Sequence, residues 1–126
     1  MERRDGVFKE EATDSLRMKT EFLDECLELS SLSNMNHKHG AVVILNGDIV
    51  GRGYNYWETF HNSISVHSEA AAIMDARKRI NRKDFKKAWM LVVRADKKGT
   101  LKMSKPCVKC RKICEAYKLS RILYST

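Results

Sequence analysis

Proline occurs once in the 126 residues, at Pro106, and glycine only six times. A chain so poor in both has no Pro- or Gly-rich linker to divide it, and no internal repeat or low-complexity tract is visible. One folded unit over residues 14–126 is therefore expected, after a loose, charged segment at 1–13. Nothing approaches the roughly 20 apolar residues of a membrane span, and Met1-Glu2-Arg3-Arg4-Asp5 leads into no apolar segment of the kind a secretion signal needs. The expectation is an intracellular protein, cytoplasmic or nuclear, with no membrane partner. Cysteine is scarce as well, with four residues, three of them crowded at 107, 110 and 114. That crowding argues against a disulfide framework and for metal chemistry in a reducing compartment. The hydrophobic share of 43% and charged share of 32% exclude disorder of the whole chain.

Acidic residues almost vanish from the second half. Residues 77–126 hold 17 Lys/Arg against three acids, a net +14, whereas residues 1–76 hold seven against 13, a net −6. A half this basic points to a phosphate-bearing partner, nucleic acid included, or to a solvated helix and loop surface.

From residue 14 to 32, Leu16, Phe22, Leu23, Cys26, Leu27 and Leu32 recur near helical spacing, with Asp14 as N-cap. Two β-branched runs, Ala41 to Leu45 and Ile49 to Tyr54, flank Asn46-Gly47, whose residues accept the positive φ angles of a type I′ hairpin turn. Residues 55–66 read as a loop. A second helix starts near His67 and runs to about Ile80, its buried face formed by Ala70, Ile73, Met74 and Ile80. Trp89-Met90-Leu91-Val92-Val93 is continuously apolar, as a strand buried on both sides is, and Asp96 to Gly99 makes a turn. Pro106 opens a third helix from Cys107 to about Lys118, and Arg121 to Tyr124 is the last strand. The order α-β-β-α-β-α-β implies an antiparallel hairpin extended by two right-handed crossovers.

Cys107 and Cys110 are three apart at a helix start, so both sulfurs face one way. The helix N-terminus should favour their thiolates. His67 opens the other crossover helix, and such helix starts share one edge of the sheet. One imidazole and two thiolates suit zinc and leave a tetrahedral ion one open position, as a catalytic site requires. Two thiolates nearly neutralise the ion, so a separate base is needed. Glu69, two residues past His67, is placed to take a proton from the attacking water and return it to a leaving group.

His67-Ser68-Glu69 followed by Pro106-Cys107-Val108-Lys109-Cys110 matches the H-x-E…P-C-x-x-C pattern of zinc nucleobase deaminases. Across about residues 15–124 the sequence resembles the cytidine and deoxycytidylate deaminase superfamily. The resemblance implies a cytidine-deaminase-like three-layer α/β/α fold with a mixed sheet. It implies a Zn2+ cofactor and hydrolytic loss of ammonia from cytosine in cytidine, deoxycytidine or its monophosphate. It also places Asn55 against the sugar or base and Ala41 on the wall of the base pocket, with the backbone around Ser68 and Lys105 at the base's polar edge. Two departures stand out. Ser68 occupies the place of a usual alanine, a change expected to leave the metal undisturbed. The chain ends after its fourth expected strand where many relatives add a fifth strand and a helix, which leaves either an edge covered in a homo-oligomer or a truncated chain.

Several residues keep two readings. Cys114 continues the face of Cys110 but lies about 10 Å along the helix axis from Cys107, which favours core packing over ligation. Cys26, on an apolar helix face, reads as a small core residue, and Trp89 and Tyr117 as core. Trp57, Phe60 and His61 are base-stacking groups or plain loop surface. His37 and His39 could meet phosphate, but the reading without any specific role is the one favoured. Lys105, Lys109 and Arg111 border the metal motif as phosphate-gripping candidates, whereas Lys78, Arg79, Arg82 and Lys83 read as a solvated helix end. Two other readings remain beside the small-substrate enzyme: a polynucleotide editor acting on cytosine in single strands or adenosine in transfer RNA, and a zinc-stabilised binding module without activity.

Overall fold

The computed structural model describes residues 9–13, 19–58 and 65–126. Its strands are β1 (Lys9–Thr13), β2 (Lys38–Leu45), β3 (Asp48–Tyr54), β4 (Tyr56–Trp57), β5 (Ser65–Val66), β6 (Trp89–Ala95), β7 (Leu101–Lys102) and β8 (Arg121–Ser125). The helices are α1 (Thr20–Ser30), α2 (Ser68–Ala76) and α3 (Val108–Ala116), with a short 3-10 helix at Arg82–Lys87. The main sheet runs β1-β8-β6-β2-β3, and β7 pairs with the end of β6. β2 is antiparallel to both β3 and β6, while β8 is parallel to β6 and β1. This is a mixed sheet of the cytidine-deaminase-like α/β class.

Alternation along the central strands divides the apolar residues between two layers. Ala41, Val43, Met90 and Val92 face Ala72, Ile73 and Ala76 of α2 and Cys114 of α3. Val42, Ile44, Leu91 and Val93 face Phe22, Cys26 and Leu29 of α1. The continuous run in β6 is buried on both sides because both sheet faces are covered. The hairpin turn is as its residues require, with φ of 52° at Asn46 and 84° at Gly47.

Four expectations need correction. The described part of α1 begins at Thr20 after Lys19, which offers no side-chain cap; Asp14 and Leu16 lie outside the described residues, and Leu32 is exposed beyond the helix end. The buried face of α2 is formed by Ala72, Ile73 and Ala76 with Ser68 and Glu69, while Met74 is 59% exposed. The cause is the sheet beneath it. A Cβ on Gly51 would come within 2.7 Å of the Ala76 Cβ, and one on Gly53 within 2.7 Å of the Ala71 Cβ, so the helix seats its small residues on a glycine strand. Third, α2 ends at Ala76, so Lys78 and Arg79 lie in the turn just beyond the helix end, whereas Arg82 and Lys83 belong to a separate 3-10 helix capped reciprocally by Asn81 and Asp84.

Finally, residues 9–13 are not loose. They form a strand parallel to β8, with Lys9 opposite Arg121 and Thr13 opposite Ser125, and so occupy the sheet edge expected to be covered in a homo-oligomer or left by truncation. Edge pairing is made by main-chain groups, so Lys-Glu-Glu-Ala-Thr carries no apolar alternation to betray it. Glu10 also reaches Arg111 of α3 at 3.8 Å.

Candidate active site

Helix α2 starts at the carboxyl end of β3, beyond the β4–β5 ribbon, and α3 at the carboxyl end of β6, beyond β7. The two helix starts therefore meet at one edge of the sheet. Because β2 runs antiparallel, it is its first residues, Lys38 to Gly40, that arrive there.

His67 is the N-cap residue of α2 and Cys107 that of α3. The His67 Nδ1 lies 3.1 Å from Cys110 Sγ and 3.6 Å from Cys107 Sγ. The ligand atoms of all three residues fall within 4.8 Å of one another, the one such cluster among the described residues. Tetrahedral zinc with ordinary Zn–N and Zn–S bonds sets its nitrogen and sulfur about 3.6 Å apart. The spacing and the soft sulfur-nitrogen donor set fit Zn2+.

Burial qualifies the expected thiolates. Cys110 is 2% exposed, and desolvation, with Glu69 and Cys107 nearby, pushes its thiol up rather than down despite the helix start. A cation is what makes the thiolate affordable here. Cys114 is fully buried in the core, its thiol pushed up to about 12 by burial and the charge of Glu69, and it is not in the cluster. Cys26 is likewise buried, its Sγ 3.7 Å from the Leu91 carbonyl, its thiol raised chiefly by desolvation.

Glu69, in the first turn of α2, is 6% exposed and accepts a hydrogen bond from Ser68 Oγ at 2.9 Å. Burial raises its pKa, opposed by its own amide, by Ser68 and by His67. Beside it opens a cavity of about 280 Å³ lined by Met35, His37, His39, Asn55, His67, Ser68, Glu69, Ser104, Lys105 and Cys107. Burial, with Arg94 adding to the effect, lowers the His39 pKa and so favours its neutral imidazole.

Of the residues named from sequence, His67, Ser68, Glu69, Asn55, Lys105 and Cys107 line this cavity, and Cys110 stands behind it at the cluster. Ala41 does not. It lies two residues beyond His39 on the same face of β2, and there α2 covers the strand, so Ala41 is fully buried in the core. Asn55 is largely committed to the protein: its Oδ1 accepts the His39 N–H at 2.8 Å and its Nδ2 donates to the His37 carbonyl at 2.6 Å. Those bonds hold the start of β2 in the wall and explain why His37 and His39 line it.

Met35 and Ser104 were missed. A methionine in a loop carries no sequence signal, whereas Ser104 is fixed from afar. Its Oγ donates to the Val92 carbonyl at 2.9 Å and lies 2.8 Å from Ser125 Oγ, and its N–H donates to the Ser125 carbonyl. Lys109 and Arg111 do not line the cavity; Arg111 instead pairs with Glu10 and Glu115. Trp57 is 37% exposed and its N–H donates to Asn34 Oδ1, while Phe60 and His61 lie outside the described residues.

The profile of the cytidine and deoxycytidylate deaminase zinc-binding region matches residues 16–126. The chain belongs to this deaminase family. The zinc-binding description of the family and the His67-Cys107-Cys110 cluster agree on the metal. Among curated proteins none matches the chain. Among solved structures it is similar to the apo dCMP deaminase of the cyanophage S-TIM5, with 24% identity over 86% of this chain and 87% of that one and a TM-score of 0.65. The same phage enzyme in complex with dCMP and dUMP aligns at 20% identity over 87% and 86%, with a TM-score of 0.64. A cytidine deaminase from Burkholderia pseudomallei aligns at 19% identity over 76% and 74%, with a TM-score of 0.59. At these identities the structural likeness speaks for a shared fold. This deaminase-family chain also has, among its described residues, no helix long and apolar enough to cross a membrane.

Proposed function

We propose that the protein is a zinc-dependent hydrolytic deaminase of cytosine in a nucleoside or nucleotide, releasing ammonia and the uracil product. The observation that carries this reading is a buried carboxylate, Glu69, on the same helix start as His67 and beside the cavity that also exposes Cys107. His67, Cys107 and Cys110 would hold the zinc, which when bound supplies Lewis-acid activation of the attacking water. Glu69 takes that water's proton, holds it, and delivers it to the departing amine. Its burial suits both halves of this task, since a carboxyl raised toward neutrality gives up and regains a proton more evenly. Asn55, whose Nδ2 donates to the His37 carbonyl and to Met35 Sδ at 3.4 Å, shapes the wall that sugar or base would meet, and Ser68 and Lys105 border the cavity where the base's polar edge would lie. The similarity to the phage enzyme in complex with dCMP and dUMP supports a pyrimidine nucleotide as substrate.

The test is to incubate zinc-loaded protein with cytosine, its nucleosides and nucleotides, adenosine-containing transfer RNA and single strands, and to follow ammonia release and product mass. Conversion of a cytosine nucleoside or nucleotide, lost in Glu69→Ala with zinc retained, is the expected result. No conversion of anything supplied would favour a silent zinc-stabilised module. The net +14 over residues 77–126 favours a second reading, deamination within a polynucleotide. Salt separates the two: affinity for a strand that neutralises several phosphates falls steeply with ionic strength, and affinity for a mononucleotide changes little.

A further inference from the structure

Ser68 sits between the metal-facing His67 and Glu69, and is itself 1% exposed. A hydroxyl this deeply buried needs a partner, and its single proton goes to one oxygen of its neighbour, Glu69 Oε1, at 2.9 Å. No other side-chain hydrogen bond to Glu69 occurs among the described residues. The terminal torsion of a glutamate is broad and roughly two-fold, so by itself the chain would leave the carboxylate plane free to turn. The hydrogen bond to Oε1, beside the contact from Glu69's own amide, removes that freedom, and Oε2 accepts no side-chain hydrogen bond among the described residues.

We propose that Ser68 is a positioning residue for the proton shuttle: by holding Oε1 it orients the carboxylate so that Oε2 is the oxygen that exchanges protons with water and the leaving amine. The proposal rests on the deaminase reading of Glu69. In the step it serves, the water O–H breaks and the proton passes to Oε2; the new C–O bond forms at the ring carbon as the ring C=N π pair moves onto its nitrogen; the proton then passes to the amine nitrogen, and that pair re-forms the ring double bond as the C–N bond breaks and ammonia leaves. Ser68 keeps its own proton throughout. Its hydroxyl contributes only to orientation, so its removal should weaken what depends on the carboxylate's direction and spare ground-state binding.

Ser68→Ala removes one oxygen and adds nothing to a tight site. In the zinc-loaded protein it is expected to lower kcat on whichever cytosine compound the wild type converts by about tenfold, with KM within about twofold. A readout independent of turnover is binding of a pyrimidin-2-one nucleotide or nucleoside, which lacks the amine and resembles the addition product when hydrated. Its affinity should fall by a similar factor in Ser68→Ala, while affinity for the uracil product, zinc stoichiometry and the visible spectrum of the cobalt-substituted protein stay unchanged. Ser68→Thr, which keeps the hydroxyl, should recover most of the loss if it folds. Unchanged kcat in Ser68→Ala, or an equal loss of product affinity, or an altered cobalt spectrum, overturns the positioning role while the deaminase reading stands. A wild type that deaminates nothing supplied overturns that reading first, and this role with it.

Discussion

Gly53→Ala tests whether the seating of α2 on the sheet sets the metal site. A Cβ at this position would lie 2.6 Å from the Ser68 carbonyl oxygen and 2.7 Å from the Ala71 Cβ, with the Ala72 amide closer still, whereas ordinary contact begins at 3.4 Å. Those atoms are helix backbone and a methyl with no rotamer to yield, so the helix start must retreat by about 0.8 Å or more. Overpacking of this kind costs about 1–3 kcal/mol of stability. His67 and Glu69 ride on that helix start, while Cys107 and Cys110 belong to α3 and stay. Metal sites tolerate displacements of about 0.2 Å, so zinc affinity is expected to drop on the order of 10–100-fold. Competition with a chromophoric chelator measures that affinity, and urea unfolding of metal-free protein measures the packing cost. Gly47→Ala is the matched control: its φ of +84° makes the methyl cost roughly 1–2 kcal/mol, but nothing lies within 4 Å and the hairpin turn is remote from the ligands. Gly53→Ala that binds zinc as tightly as wild type, or Gly47→Ala that loses it equally, would refute the reasoning.

Cysteine substitutions should separate by role. Cys110→Ser is expected to lose stoichiometric zinc and the stabilisation that comes with it, about 2.7 kcal/mol at a hundredfold excess of free ion over its dissociation constant. Cys114→Ser should keep zinc and lose about 1–3 kcal/mol for a hydroxyl buried in the core; metal analysis with thermal melts tells them apart. Removing residues 1–13 bares the edge of β8 and frees Arg111 from Glu10, so lower stability and concentration-dependent self-association are expected in light scattering. Unchanged monodispersity would count against β1 as the edge strand. Asp75 accepts the Arg52 N–H at 2.9 Å and pairs with Arg79 at 2.8 Å. Partial burial alone would raise its pKa, but the bonds from Arg79 and Arg52 outweigh it and lower it. Its contribution, at most about 1 kcal/mol, is thus complete above the unfolded carboxylate value near 3.9 and disappears as pH falls through the lower folded value. The stability gap between wild type and Asp75→Asn should accordingly persist at neutral pH and close in acid; a gap that widens in acid would contradict the sign.

Chemistry and core were legible one residue at a time. The spacing of Cys107 and Cys110 is local to a single helix turn, so it fixes a shared direction before any tertiary contact forms. Asn46-Gly47 determines its turn through two residues' own φ preferences, and the run from Trp89 to Val93 has too many apolar side chains for one buried face. Helix α2 misled because its larger side chains, Met74 among them, seemed the natural buried face. Close approach to Gly51 and Gly53 selects the smaller ones.

What the sequence alone determined is the set of groups that could bind zinc, with the carboxylate proposed to move a proton, together with the local elements that present them. Tertiary structure alone decided the cavity wall: which end of antiparallel β2 reaches the site, how Asn55 ties His37 and His39 into it, and how Ser125 reaches back to fix Ser104. It also decided that a charged N-terminal segment closes the sheet. Both depend on main-chain partners many residues away, and hydrogen bonding by the main chain leaves almost no mark on side-chain pattern.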